Sequence, residues 1–402
     1  MPERFRVFEV TARGRELQAR LQAFMDENVY AAEKVIAAEL RDAESRWTVP
    51  ALIEELKSKA RAQGLWNLFL PDTRYGAGLC HLDYAHLAEL MGRSLIAPEL
   101  FNCSAPDSGN IEALALHASD EQRDRWLQPL LNGEIRSAVA MAEPVVASSD
   151  PTNLLTTLSQ RDEGYILHGR KWWVSGACDP RCRLILVMAL SHPEAPVHQR
   201  YSMVLVPTDT HGVNIARSLD VFGYDGAPSG YAEVEFDQVW IPEDSILGKP
   251  GKAFEVAQGR LGPGRVHQCM NLIGLAQRAY EAMLKRASDR VVFGRPITQH
   301  GMAQEALARS RCELEQARLL THAAAATLDR RGIRLAREHL AMIKVAVPEM
   351  ACTVIDRAIQ IHGALGLSQD SFLAAAYAQA RAARIADGPD QVHMSSLARL
   401  LS

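Results

Sequence analysis

Ala232-Glu233-Val234-Glu235-Phe236-Asp237 alternates apolar and acidic side chains residue by residue. In an extended chain successive side chains point to opposite faces, so this stretch fits an antiparallel strand with one face buried and the other in water. The runs before it share that character. Val139-Ala140-Met141, Tyr165-Ile166-Leu167, Leu184 to Met188 and Met203 to Val206 are short, apolar and bounded by Gly, Pro and Asp. No helical pattern comes between them, which favours a sandwich or barrel over a doubly wound sheet. On both sides the period becomes helical. Upstream, Leu17, Leu21, Phe24 and Met25, then Leu52, Ile53, Leu56 and Ala60, recur at helical spacing; Pro71 to Gly78 interrupts, and Leu82 to Met91 resumes. Asp120 opens a short helix with a side chain suited to capping it. Downstream, helices are expected over about 252–291, 299–330, 335–362, 371–385 and 390–401, with Pro348 as a kink or boundary. The sequence therefore predicts an α+β multidomain chain: a helical domain over 1–135, a β-domain over 136–248 and a helical bundle over 249–402.

A chain of 402 residues is too long for one ordinary core, and 48% hydrophobic with 23% charged residues is a globular composition. The formal net charge of -4, with no Lys/Arg block, argues against nucleic acid as a partner. No run approaches eighteen apolar residues, so membrane insertion is not expected. The opening MPERFRVFEVTARGRE lacks the apolar centre of a secretory leader. Of seven scattered cysteines only Cys178 and Cys182 lie close together, which fits reduced thiols in a cytoplasmic enzyme and no metal site.

Five segments carry possible chemistry. Met141-Ala142-Glu143-Pro144-Val145-Val146-Ala147-Ser148-Ser149-Asp150 leaves a strand for a loop rich in hydroxyls and backbone N–H groups, which suits either a flavin or phosphate contact or a turn capped by Asp150. Lys171-Trp172-Trp173-Val174-Ser175-Gly176 sets two indoles at a strand end. Alternation sends one into the core and leaves the other free to stack on a planar ligand. Arg290-Val291-Val292-Phe293-Gly294-Arg295-Pro296-Ile297 follows a helix, where Arg290 either complements the helix dipole or holds a pyrophosphate. Gln360-Ile361-His362-Gly363-Ala364-Leu365-Gly366 reads as a helix C-cap whose glycines would also let a cofactor approach the backbone. Ala386-Asp387-Gly388-Pro389-Asp390-Gln391-Val392-His393 is a tight turn before the last helix. Nothing local says which of its carboxylates, if either, is a base.

In this order and spacing the segments resemble the acyl-CoA dehydrogenase family from about residue 30 onward. They are most similar to the dehydrogenase portion of its multidomain members ten and eleven, through EPVVASSDPTN, KWWVSGA, QGRLGPGRVH, AMIKVAVP and RIADGPDQVH. The resemblance implies an N-terminal helical domain, a middle antiparallel β-domain and a C-terminal four-helix bundle, with FAD as cofactor. It would set Met141, Ala142, Ser148 and Ser149 along the flavin and the acyl-CoA, with Trp173 and Ser175 covering the flavin. Arg290, Phe293 and Gln360, with Gly363 and Ala364, would reach FAD of an adjacent subunit, implying a homo-oligomer, tetramer or dimer. Arg265 and Gly388 would line the substrate, and Asp390 and Gln391 would again contact FAD. Asp387 stands where the family usually has a catalytic Glu, and Ala142 where it usually has Thr. By the same resemblance, the carboxylate of Asp387 and the indole of Trp173 would enclose flavin and thioester from opposite sides.

The implied reaction removes the α-proton of an acyl-CoA while the β-hydride passes to flavin N5, giving 2-enoyl-CoA as in fatty acid β-oxidation. An electron-transfer flavoprotein is the implied acceptor. A carboxylate removes so weakly acidic a proton only if donors hold the thioester oxygen as charge develops, and in the family these are the backbone N–H of the base residue and a ribityl hydroxyl. Asp is one methylene shorter than Glu, so a subgroup-specific acyl chain is expected, with Val221-Phe222-Gly223-Tyr224 either shaping the pocket mouth or forming an exposed loop. Competing functions are a dehydrogenase for 4-hydroxy- or 4-phosphoryloxyacyl-CoA, an acyl-CoA oxidase, and a non-catalytic assembly protein that retains the fold.

Overall fold

The computed structural model describes residues 8–401, apart from the side chains of residues 260 and 261. The chain forms two compact units. One gathers the chain up to Glu33, Gly78–Pro98 and the chain from Gly262; the other gathers Lys34–Ala77 and Glu99–Leu261.

The second unit holds the sheet. Its strands are β1 (Arg136–Ala140), β2 (Thr157–Arg161), β3 (Gly164–Ser175), β4 (Cys182–Leu190), β5 (Tyr201–Pro207), β6 (Val213–Leu219) and β7 (Tyr231–Pro242). All pairings are antiparallel except those of β1 and β2 with β4. The two short strands share one rank between β3 and β4. β1 runs along β4 and meets β3 at Val139↔Ser175, whereas β2 runs along β3 and meets β4 at Thr157↔Leu190. The segment 141–156 therefore leaves the sheet at the gap between them. Val204 and Val206 on β5, at one end of the strand order, and Val234, Phe236 and Val239 on β7, next to the other end, belong to one buried cluster. The sheet thus curls around a single core, as the short alternating runs require.

Two irregularities interrupt the β3–β7 ladder. Gly164↔Pro242 to Leu167↔Val239 and Val174↔Ala232 to Ser175↔Tyr231 keep one register, but Gly169↔Phe236 to Lys171↔Val234 is displaced by one residue. The extra residue on β7 includes Gln238 at φ 49°, and the one on β3 includes Trp173 at φ 50°. Strict alternation across Trp172-Trp173 is therefore lost. Trp172 is half-buried and Trp173 is 39% exposed, so neither indole is core. Asp120 begins its helix as expected, but Ser119 caps it in a reciprocal pair with Gln122. Val221-Phe222-Gly223-Tyr224 closes on itself through Val221 and Tyr224, with Phe222 exposed.

The first unit is helical. Leu17, Leu21 and Phe24 are buried from Ala12–Phe24. His81–Gly92 crosses the helix Ala253–Asp289 at two glycines: a Cβ on Gly92 would strike Asn271 backbone, and one on Gly274 would strike Glu89. Gly301–His362 is continuous apart from a kink at Gly332, whose φ of 72° and ψ of 174° are non-helical. That is the expected gap between 330 and 335. Pro348 neither ends nor interrupts the helix; the left-handed residue breaks it instead. Leu373–Ala383 and Asp390–Leu401 complete the unit. No described helix is long and apolar enough to cross a membrane.

Candidate active site

Two groups of side chains gather the chemistry, one in each unit. In the sheet unit, Lys171 projects from the displaced stretch of β3 toward the 141–156 segment. Its Nζ donates to Met141 O and to Glu143 Oε1, each at 2.9 Å, and the two side chains are 0% and 1% exposed. Glu143 also accepts from Leu155 N at 2.7 Å and Thr156 N at 2.9 Å. One ion pair thus pins both ends of the loop to the strand. Burial pulls the Lys171 ammonium down to about 8 against the attraction of Glu143. Burial alone would raise the Glu143 carboxyl, but Lys171 and the two amides outweigh it and hold it below its ordinary value.

Inside the loop, Ser148 Oγ accepts from Glu143 N at 2.8 Å, and Asp150 caps a short turn through Thr152 N at 3.0 Å. The turn-capping role is therefore present, while Ser149 stays exposed. Trp172 N donates to Ala142 O at 3.0 Å, which sets Met141 and Ala142, both half-buried, beside the tryptophan pair. Trp173 stands edge-on to Tyr231 at 5.7 Å, and Ser175 lies half-buried in the ladder.

In the helical unit, the turn before the last helix is braced from several sides. Lys344 Nζ donates to Ala383 O and Ala386 O, each at 2.9 Å, and to Gln268 Oε1 at 3.2 Å. His393 Nε2 lies 3.2 Å from Asp387 O. A carbonyl only accepts, so Nε2 carries the hydrogen. Burial pushes His393 down to about 4, assisted by Arg265 and Lys344, and its ring is neutral at pH 7. Arg384 Nε donates to Asp390 Oδ2 at 2.8 Å. These contacts hold Asp387 at φ 56° and Gly388 at φ 99°, where a Cβ on Gly388 would meet His393 Nε2 at 3.1 Å. The Asp387 side chain is exposed, whereas Asp390 is 5% exposed and committed to Arg384. Burial lowers both Arg265 and Lys344, and the Asp387 carboxylate opposes the shift in each. Two largely buried cations therefore lie within electrostatic reach of the carboxylate.

The structure thus brings Arg265, Asp387, Gly388 and Asp390 together, and separately Met141, Ala142, Ser148, Ser149, Trp173 and Ser175. The remaining predicted residues form no hydrogen bond with either group. Arg290 precedes a two-stranded hairpin with Phe293 at its tip, 99% exposed at φ 48°. Gln360, Ala364 and Gln391 are exposed, and Gly363 ends its helix at φ 66° with open space where a Cβ would stand. Within the sheet unit the exposed Trp173 indole offers a flat face suited to a flavin ring. Within the helical unit Arg290, Gln360 and Gln391, whose side chains have no hydrogen-bond partner among the described residues, and the open Gly363 suit the phosphates and polar groups of a dinucleotide such as FAD.

Sequence reasoning missed the bracing residues Lys344, His393, Arg384, Lys171 and Glu143. A lysine inside the apolar run AMIKVAVP was the available signal, because a buried ammonium must find acceptors.

Sequence profiles described as acyl-CoA dehydrogenase N-terminal, middle and C-terminal domains match residues 11–134, 138–239 and 251–402. Acyl-CoA dehydrogenase family member 10 of Mus musculus is 50% identical over 96% of this chain, which spans 36% of that protein's length. A Mycobacterium tuberculosis protein assigned as a probable acyl-CoA dehydrogenase is also 50% identical, covering 98% of this chain and 96% of its own. A solved structure from Mycobacterium abscessus, likewise assigned to that enzyme class, superposes with a TM-score of 0.96 at 49% identity, over 98% of this chain and 99% of the other.

Proposed function

The chain belongs to the acyl-CoA dehydrogenase family, and on that premise we propose that it is an FAD-dependent acyl-CoA dehydrogenase with Asp387 as its base. Asp387 takes the α-proton of an acyl-CoA thioester, and the product is a 2-enoyl-CoA. The observation that carries this is the braced turn. An exposed carboxylate sits on a left-handed residue held from behind by Lys344, His393 and the Arg384–Asp390 pair. Positive φ on a non-glycine costs energy, and a fold that holds such a residue from several sides supports a functional reading of it. Asp390 is unsuited to the role because its carboxylate is bonded to Arg384.

Bound substrate would exclude water from around the Asp387 carboxylate, while Arg265 and Gly388 line the acyl-CoA side. Among the described residues nothing accepts from the Asp387 N–H, which leaves it available for the thioester oxygen. FAD, when bound, supplies the hydride acceptor. Met141, Ala142, Ser149, Trp173 and Ser175 would contact the ring system, with Ser148 and Ser149 toward the substrate. Arg290, Phe293, Gln360, Gly363, Ala364, Asp390 and Gln391 would hold its remainder in a homotetramer or dimer. An electron-transfer flavoprotein is the proposed acceptor.

Anaerobic titration of the yellow protein with straight, branched, 4-hydroxy- and 4-phosphoryloxyacyl-CoAs tests this, since a true substrate bleaches the flavin band. Asp387→Asn should keep FAD and bind CoA esters without bleaching. Bleaching at the wild-type rate would remove Asp387 as the base, and stoichiometric peroxide release in air would make the protein an oxidase.

A further inference from the structure

Lys344 is 1% exposed, yet none of its hydrogen-bond acceptors is a carboxylate. Burying a cation on neutral acceptors is costly, and a neutral donor would suffice to tie down a turn. One of its bonds has a plain structural use: Ala383 O lies at the end of Leu373–Ala383, where a cation complements the helix dipole. The bond to Ala386 O has no such explanation. Ala386 lies beyond that helix, and its carbonyl is the other end of the peptide group that carries the Asp387 N–H.

We propose that Lys344 is a positioning residue for proton abstraction, fixing the Ala386–Asp387 peptide and strengthening its N–H as the donor to the thioester oxygen. Charge-assisted donation to a carbonyl draws electron density from the amide nitrogen, so the N–H at the far end donates more strongly. His393 does the same, without charge, to the next peptide through Asp387 O. Both peptides flanking the Asp387 Cα are therefore held from behind. The thioester oxygen is only two bonds from the acyl α-carbon, so base and oxygen donor must act close to each other. A single residue offering carboxylate and N–H meets that demand, and Lys344 fixes the relation between the two.

Resting as it does on the dehydrogenase function proposed above, the role of Lys344 is tested on the FAD-loaded protein. The probe is the 2-enoyl-CoA of whichever acyl-CoA bleaches the wild type fastest, carrying 13C at the thioester carbonyl. Bound to oxidised enzyme it does not turn over, and difference infrared spectroscopy reads how far its C=O stretch is lowered. In Lys344→Met at least half of the wild-type lowering should be lost and bleaching should slow by about 10–100-fold, with CoA-ester affinity changed by less than about threefold. Lys344→Gln, which keeps N–H donors without charge, should fall between the two. If Lys344→Met does not fold, Lys344→Gln decides on the same readouts. A folded, FAD-containing variant with the wild-type C=O frequency overturns the proposal, as does a rate loss that only tracks lost FAD. If no acyl-CoA bleaches the wild type, the dehydrogenase function itself fails and this role with it.

Discussion

Lys171 and Lys344 are both buried lysines that tie down a loop through backbone carbonyls, but their charges are handled differently. Lys171 meets the Glu143 carboxylate directly, and each is almost wholly removed from water. Lys344 meets two carbonyls and an amide, while the carboxylates of Asp387 and Asp390 act on it only through space. A neutralised pair pins structure. An ammonium left on carbonyls keeps its field and passes it along the peptide groups it touches. The contrast separates a lysine that pins the 141–156 segment from one that braces the peptide before Asp387.

The sharpest way to break this comparison is to remove each ammonium. Lys171→Met strands Glu143 inside the sheet unit and should lower stability by about 3–5 kcal/mol in denaturant unfolding. Adding Glu143→Gln should return part of that loss, because no uncompensated charge remains; a double variant no more stable than the single one would show that the two are uncoupled. Lys344→Met leaves only neutral acceptors unpaired and should cost about 1–3 kcal/mol. The reverse order of the two losses would refute the assignment of pin and field.

Titration sharpens the same contrast. Lys171 is lowered from 10.5 to about 8, so the folded state penalises its protonated form. That penalty is present in full below pH 8 and is relieved as pH rises from about 8 to 10.5, so global stability from this group increases while the pin itself is lost. Fluorescence of the adjacent Trp172 and Trp173 should change with a midpoint near 8, and Lys171→Met should lack that transition. His393 follows the same sign in a lower pH window. Lowered from 6.5 to about 4, it contributes stability that is complete above about 6.5 and lost as pH falls to 4. His393→Gln should flatten acid unfolding over that window. The smallest expected effect is at Ala142, where Ala142→Thr adds a hydroxyl beside the tryptophan pair and should change FAD affinity by about 0.5–1.5 kcal/mol. Equilibrium dialysis would measure it.

Much of the fold was legible because it lies in periodicity: the alternation at Ala232–Asp237, the helical spacing of Leu17, Leu21 and Phe24, and the break near Gly332 are all local signals. Pro348 does not mark a boundary, because its missing N–H removes one intrahelical bond from a helix that continues on both sides. The tryptophan pair misled because a bulge cannot be seen in alternation. Of the candidate site, Asp387 stood out only through resemblance, since a turn of Asp, Gly and Pro reads the same with or without a base. Its braces come from 43 residues earlier in sequence and six residues later, and such pairings are set by packing, which one strand of text does not record.

The two extra residues that displace the middle of the β3–β7 ladder also have a genetic meaning. Each shifts the pairing by one position, and the second undoes the first, so every contact beyond them is in frame again. Deleting Trp173 alone, or Gln238 alone, would carry the shift to a strand end and turn inward side chains out. Deleting both would act like a mutation and its intragenic suppressor, restoring a straight ladder at the expense of the exposed indole.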